Sequence, residues 1–301
     1  MSRPGRFLLL SFVVVVASLA GADDLNRHLQ DSYLNKTLIL HSFYSGAHLH
    51  YDSSGSLLSD NRPGDWTSDG FVLITDIGVR KHEIRIKAKR LSIVSTNKAL
   101  SLRIAENENV RPGEDKGIFL EITADLHGEP SPDQVDAAMA DIFLSAKDHL
   151  ASMLPDYWKP CVSAALAGND ENCHFAPEVL SIPGVGVAEA TSRDDTGEPE
   201  KSLNRRLFRI GQGITPPKLT LHKEPEFSDL ARRMKYQGTG VLGLTVDRDG
   251  VPTKIHVLNP LGCGLDAQAV RAVEGWRFKP AEKDGQPVEV EIAVEVDFHL
   301  Y

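Results

Sequence analysis

The chain has 301 residues, of which 41% are hydrophobic and 25% charged, a composition typical of folded proteins and sufficient for two modest domains. Its 42 acidic and 33 basic residues give a formal net charge of -9. Because nucleic-acid binding needs basic surface to neutralise phosphates, this balance argues against a nucleic-acid partner.

The first 22 residues have the pattern of an export signal. Arg3 and Arg6 precede the apolar run Phe7–Leu19, and residues 20–22 are small. This order predicts a signal peptide that is cleaved after residue 22, and hence a periplasmic protein. The alternative is an uncleaved inner-membrane anchor, although the apolar run is shorter than the roughly 20 residues that span a bilayer.

Residues 25–127 alternate short apolar runs with turn sequences such as Asp52-Ser-Ser-Gly55. Seven runs have the composition and alternation of strands: Thr37–Phe43, His48–Tyr51, Gly70–Asp76, Glu83–Ala88, Leu91–Ser95, Ala99–Ile104 and Gly117–Ala124. Strands so closely spaced predict an antiparallel β barrel or sandwich.

Residues 131–183 are predicted to form a helical extension of this β-rich domain. Ser131 and Pro132 suit a helix start, and apolar residues then recur at helical spacing as far as Met153. A second short helix is predicted over Cys161–Ala167.

The three cysteines have two different interpretations. Export would expose thiols to oxidising conditions, so Cys161 and Cys173, which flank a short turn, predict a disulfide. Cys263 lies between two glycines with no adjacent acid or histidine, which indicates a small packed residue rather than a nucleophile. Residues 184–215, rich in small and charged side chains, are predicted to be a flexible linker.

The remaining residues, 217–301, predict a compact α+β module. Helical spacing is found over Phe227–Tyr236 and Asp266–Trp276, and alternation over Val241–Asp247 and Pro252–Leu258. With a final strand over residues 288–301, the order αββαβ predicts a three-stranded antiparallel sheet with two helices on one face.

The final strand has the strongest local pattern in the chain. Apolar and mainly acidic residues alternate without a break, which predicts a half-buried strand with an acidic outer face. The apolar positions are Val288, Val290, Ile292, Val294 and Val296, and those between them are Glu289, Glu291, Ala293, Glu295 and Asp297.

The same segment resembles the C-terminal domain family of TonB. Trp276-Arg-Phe-Lys-Pro-Ala281 is the most specific part of the resemblance. Supporting motifs are Glu224-Pro-Glu-Phe-Ser-Asp-Leu-Ala231, Tyr236-Gln-Gly-Thr-Gly-Val241, Asp249-Gly250, Leu265-Asp266 and Asp284-Gly-Gln-Pro287. The resemblance covers residues 217–301, less than a third of the chain.

The resemblance implies a protein that binds a short extended peptide, the TonB box of a TonB-dependent outer-membrane receptor, as an added strand. We predict that the binding edge is Val288–Asp297, and that the partner is such a receptor or another envelope protein. The acidic side chains would favour a basic partner or keep the edge soluble. We predict neither catalysis nor a cofactor.

Two departures from the family pattern weaken a role in transmembrane energy transduction. The family's transmembrane helix carries a histidine that Phe7–Ala22 lacks, and the proline-rich arm of the family is replaced here by a β-rich domain and a short linker. The alternative function is a small-ligand-binding envelope protein. In that case the β-rich domain does the binding and the C-terminal module forms a homodimer.

Two further groups of side chains are predicted to be structural. His41, His48 and His50 resemble a metal edge, but no Cys, Asp or Glu completes the set at recognisable spacing, so we predict no metal site. Tyr44, Tyr51 and Trp66 lie near turns and are predicted to be core residues rather than the lining of a ligand site.

Overall fold

The computed structural model describes residues 23–59, 62–96, 99–111, 113–168, 173–185 and 213–300. The predicted signal peptide and all but the ends of the predicted linker lie outside these ranges. In the described part of the chain, no helix is long and apolar enough to cross a membrane.

The N-terminal region, residues 23–185, contains a seven-stranded sheet and six helices among its described residues. A helix over residues 23–33 (α1) comes first. The sheet and its helices follow as β1 (Thr37–Ile39), β2 (His48–Tyr51), α2 (Trp66–Asp69), β3 (Phe71–Arg80), β4 (Glu83–Thr96), β5 (Ala99–Ile104), β6 (Phe119–Asp125), α3 (Pro132–Ile142), α4 (Leu150–Met153), α5 (Lys159–Leu166), β7 (His174–Phe175) and α6 (Pro177–Leu180).

Strand β4 is the centre of this sheet. It has 14 residues and joins the two predicted strands Glu83–Ala88 and Leu91–Ser95 into one. One side of β4 pairs with β3, while the other side pairs first with β6 and then with β5. Because β4 is so long, a single strand connects both ends of the sheet.

The predicted antiparallel barrel or sandwich is not confirmed. The seven strands belong to one sheet, with the order β1-β3-β4-β5-β7 and with β6 and β2 branching from β4. Two of the pairings, β2 with β6 and β5 with β7, are parallel. Alternation located the strands in the sequence but carried no information on how they pair.

The predicted long helix ends earlier than its apolar spacing suggested. The capping box of Ser131 and Gln134 is present, but α3 ends at Ile142 and Phe143 is extended. The reason is strand-like pairing with the chain around β1: the Leu144 N–H donates to the Ile39 carbonyl at 2.8 Å, and the His41 N–H donates to the Ile142 carbonyl at 2.9 Å. Tertiary pairing thus overrides helical propensity here.

The C-terminal module, residues 213–300, contains the predicted αββαβ order. Its elements are β8 (Ile214–Thr215), β9 (Lys218–Leu221), α7 (Asp229–Arg233), β10 (Gly238–Val246), β11 (Pro252–Asn259), α8 (Leu265–Glu274), β12 (Arg277–Lys279), β13 (Ala281–Lys283), β14 (Gln286–Val288) and β15 (Val290–Phe298). The main sheet is antiparallel with the order β11-β10-β15. The short pairings β9 with β12 and β8-β13-β14 were not predicted.

The two regions share one hydrophobic core. Residues of β4 and α5, such as Ile93 and Val162, belong to the same buried cluster as Leu244 of β10 and Val273 of α8. The described residues of the two regions are therefore packed against each other.

The loop over residues 261–264 makes the main junction between the regions. It runs beside the end of β4: the Ser95 N–H donates to the Leu261 carbonyl at 2.8 Å, and the Cys263 N–H donates to the Ile93 carbonyl at 2.7 Å. Gly262 has a φ of 81°, and a Cβ there would collide with the Ile93 carbonyl oxygen. The close approach of the two backbones requires glycine at this position.

Candidate partner-binding edge

Strand β15 lies at one edge of the main sheet of the C-terminal module. It pairs with β10 without a register shift from Gly238 opposite Phe298 to Val246 opposite Val290. Among the described strands, none pairs with its other side. This strand therefore presents an open edge.

The hairpin between β10 and β11 shows which backbone groups face outward. The Asp247 N–H donates to the Val251 carbonyl and the Gly250 N–H to the Asp247 carbonyl, so Asp247 faces β11. Backbone groups alternate in direction along a strand, so Val246 faces β15 and its partner Val290 faces β10. The same alternation turns the N–H and C=O groups of Glu291, Ala293, Glu295 and Asp297 outward.

The two faces of β15 differ in burial, as the alternation predicted. On the face towards the helices, Val290 and Val296 are buried, but Ile292 and Val294 between them are only half-buried. The side chains of the other face are exposed: Glu291, Ala293, Glu295 and Asp297. The helix-side core is thus incompletely covered along the middle of the open edge.

The residues of β10 that lie directly opposite the exposed positions of β15 are uncharged. The residues of β10 that pair with the exposed positions of β15 are Thr239, Val241, Gly243 and Thr245. Asp297 accepts a hydrogen bond from the Thr239 hydroxyl. Within the described ranges, neither Glu291 nor Glu295 has a cationic group at ion-pair distance.

The opposite edge of the sheet is covered by the N-terminal region. The Val257 N–H of β11 donates to the Tyr157 carbonyl, in the turn before α5, at 2.9 Å. Helix α5 itself lies beside β11. The N-terminal region thus occupies one edge of the sheet and leaves the other edge open.

The structure places the predicted binding residues in two elements. Val288 ends β14 and pairs with Ala281, Glu289 lies between the strands, and the other eight residues belong to β15. The prediction of one strand over residues 288–301 was wrong at both ends, because Val288 pairs in the β8-β13-β14 sheet and β15 ends at Phe298.

The cysteines have the predicted arrangement. Cys161 and Cys173 form a disulfide with a Cα–Cα distance of 5.6 Å, which ties α5 to the residue before β7. Cys263 is fully buried, 3.8 Å from the sulfur of Met234, and its burial raises the pKa of its thiol to about 11. A thiol that holds its proton is a poor nucleophile, as expected of a packed residue.

The predicted core aromatics and the histidines lie outside the open edge. Trp66 and Tyr51 are buried, and the Trp66 ring packs edge-on against Trp158 with centroids 5.0 Å apart. His48 lies 3.2 Å from Glu121, and His50 lies 3.2 Å from Asp125.

Sequence reasoning missed the acids at the junction between the two regions. The buried carboxylate of Asp266 accepts hydrogen bonds from the Leu261 N–H at 2.9 Å and from the Gly262 N–H at 2.6 Å. Burial raises the pKa of Asp266 to about 7, and it also raises the pKa of Asp65, which caps α2. The two glycines around Cys263 and the Leu265-Asp266 motif marked this stretch in the sequence, but neither indicated that Asp266 is buried.

A cleft also lies between the two regions. It has a volume of about 780 Å³, and α2 and α8 contribute to its walls. Three arginines, Arg62, Arg233 and Arg271, line it together with acidic residues such as Asp69 and Glu226.

Comparison with known proteins identifies the C-terminal module. Residues 223–300 match the family described as Gram-negative bacterial TonB protein C-terminal. The chain is 36% identical over 77 residues to Protein tonB2 of Pseudomonas aeruginosa, which covers 25% of this chain and 28% of that protein. It is 30% identical over 98 residues to Protein TonB of Vibrio cholerae, covering 30% of this chain and 40% of that protein.

A similarity to a solved structure covers a comparable stretch. The solution NMR structure of the Pseudomonas aeruginosa TonB CTD is 21% identical, with a TM-score of 0.26, and the match covers 32% of this chain and 95% of that one. The matches to the two TonB proteins cover 28% and 40% of their lengths, so the chain matches less than half of each. Within those limits, residues 223–300 are a domain of the TonB C-terminal family.

Proposed function

We propose that this protein acts in the periplasm and captures an extended segment of another envelope protein by adding it as a strand to β15. The observation that carries the proposal is the open edge: four residues, Glu291, Ala293, Glu295 and Asp297, turn backbone groups outward, while the opposite edge is covered. An extended segment would satisfy these groups, which is how strand addition produces affinity.

The first candidate partner is the N-terminal segment of a TonB-dependent outer-membrane receptor. The family match at residues 223–300 supports this choice. A link to energy-coupled transport across the outer membrane is part of the same proposal. Binding requires only the C-terminal sheet, so it does not depend on whether residues 1–22 stay attached.

Ala293→Pro tests the proposal directly. Proline removes an N–H that faces away from β10, a position at which an edge strand tolerates proline, so the sheet should remain intact. We expect affinity for receptor N-terminal peptides, measured by fluorescence anisotropy, to fall roughly tenfold or more because the added strand loses a backbone donor. Ala293→Ser, which keeps the N–H, is the matched control.

Two results would contradict strand addition at β15. One is that no extended peptide binds at concentrations up to about 1 mM, because a dissociation constant above that value is too weak for a functional contact of this kind. The other is equal affinity of the proline and serine variants, since binding would then occur elsewhere. Thermal unfolding of both variants checks that the fold is retained.

The cleft between the regions favours a second candidate function, the binding of a small ligand. Its volume of about 780 Å³ lies within the range of small-molecule sites, roughly 300–1,000 Å³. A ligand bound there would raise the melting temperature of the whole chain. The Arg271→Ala variant should lose that stabilisation and retain peptide binding at β15.

A further inference from the structure

We propose that the partner strand captured by β15 alternates basic residues with branched apolar residues. This inference rests on the proposed function and adds the chemistry of the partner to it. It follows from the two faces of the open edge, because each face would contact a different set of side chains on an added strand.

The exposed face selects the charge of the partner. Side chains directly opposite each other on neighbouring strands have Cβ atoms about 4.5–5.5 Å apart, so residues of an added strand would lie beside Glu291 and Glu295. The β10 positions opposite them, Thr245 and Val241, are uncharged, and among the described residues neither carboxylate has a cation at ion-pair distance. Lysine or arginine at alternate positions of the partner is therefore attracted, and aspartate or glutamate is repelled.

The helix-side face selects the apolar half of the partner. Ile292 and Val294 are half-buried, whereas Val290 and Val296 on the same face are buried. An added strand would place its intervening side chains beside Ile292 and Val294 and remove their remaining apolar surface from water. Branched apolar residues suit this position because they pack well on a pleated surface.

The same geometry disfavours a second copy of this chain as the occupant. An antiparallel pairing of two β15 strands centred on Ala293 would place Glu291 of each copy opposite Glu295 of the other. Like charges directly opposite each other destabilise a strand pair. The edge therefore fits a different, basic chain better than it fits itself.

Four short synthetic peptides test the inference with the full chain. They alternate Lys with Val, Ser with Val, Glu with Val, and Lys with Ser, and binding is measured by fluorescence anisotropy. We expect the Lys–Val peptide to bind roughly fivefold tighter than Ser–Val, with Glu–Val and Lys–Ser weaker than Lys–Val. The advantage of lysine should shrink in about 0.5 M salt, because these charges are exposed.

The double variant Glu291→Gln, Glu295→Gln assigns the preference to the edge. It should abolish the difference in affinity between the Lys–Val and Ser–Val peptides. The double variant Glu114→Gln, Glu129→Gln is the control, because it removes two exposed acids of the N-terminal region and alters net charge equally. We expect that control to keep the preference.

The outcomes separate the inference from the proposed function. Equal binding of all four peptides, with sensitivity to Ala293→Pro, would overturn the charge and apolar selection but leave strand addition standing. A lysine preference that survives in the Glu291, Glu295 double variant would also overturn the inference. If none of the four peptides binds but receptor N-terminal peptides do, the inference fails and strand addition stands; if the receptor peptides do not bind either, the proposed function itself fails.

Discussion

The two edges of the C-terminal sheet have the same backbone chemistry and different surroundings. Along β11, the Val257 N–H is already bonded to the Tyr157 carbonyl, and α5 lies beside the strand. Along β15, no described strand pairs with the outer side. The comparison shows that the N-terminal region contacts one edge of the sheet and leaves the other edge open, so the proposed strand addition is expected only at β15.

The largest expected effect comes from breaking the junction that keeps β11 covered. In Gly262→Val, a side chain would collide with the Ile93 carbonyl, at a φ of 81° that valine rarely adopts. We expect the free energy of unfolding to fall by roughly 3 kcal/mol or more in urea titrations, since strain and lost core contacts combine. Hydrogen exchange of the Val257 amide should also become faster.

Gly285→Val is the matched control for that change. Gly285 has a φ of 77°, but nothing lies within 4 Å of the position that a Cβ would occupy. It should cost only the conformational strain, about 1–2 kcal/mol, and leave the exchange of the Val257 amide unchanged. Equal losses of stability in the two variants would show that the close approach at Gly262 is not needed for the junction.

The second effect concerns the disulfide beside the covered edge. The Cys161–Cys173 bond fixes α5, and the turn before α5 provides the Tyr157 carbonyl. Replacing both cysteines with serine should lower the free energy of unfolding by about 2–3 kcal/mol, as expected for a short closed loop. Adding reductant to the native protein should lower its free energy of unfolding by the same amount. Adding reductant to the serine variant should cause no further decrease.

The smallest effect is a pH dependence of the junction. Burial raises the pKa of Asp266 to about 7 in the folded chain, above its ordinary value of 3.8. The folded state therefore binds this proton more tightly than the unfolded state, and its contribution to stability is lost as pH rises from about 4 through about 7. We expect the free energy of unfolding to be roughly 2 kcal/mol higher at pH 5 than at pH 8.

Asp266→Asn isolates that contribution, because asparagine retains an acceptor oxygen and does not titrate. The difference in stability between the wild-type protein and the variant should change across pH 5–8. The open edge provides a second comparison, since peptide binding by β15 should not follow the titration of Asp266. If the free energy of unfolding changes with pH to the same extent in the wild-type protein and in the variant, the pH dependence belongs to other groups.

The sequence was most informative where a pattern repeats locally. The alternation from Val288 onward placed a strand with an acidic exposed face, and β15 has that form. The motif around Trp276 located the family match. Both depend on near neighbours in the chain, for which periodicity is a direct signal.

The sequence was least informative where distant segments meet. Helix α3 ends at Ile142 because the following residues pair with the chain around β1. The covering of β11 by the turn at Tyr157 joins residues about a hundred positions apart. Asp266 is charged in the sequence and buried in the fold, with its hydrogen bonds supplied by a loop that only the tertiary structure positions.

The junction has a consequence for how the chain folds. The Gly264 N–H donates to the Thr67 hydroxyl, and 197 residues separate these two partners. Contacts between residues so distant along the chain slow folding, because a long loop must close before these contacts can stabilise the folded state. The hydrophobic core around β4 is complete only when the C-terminal module packs against it. An exported form would therefore finish folding only after almost the whole chain had crossed the membrane.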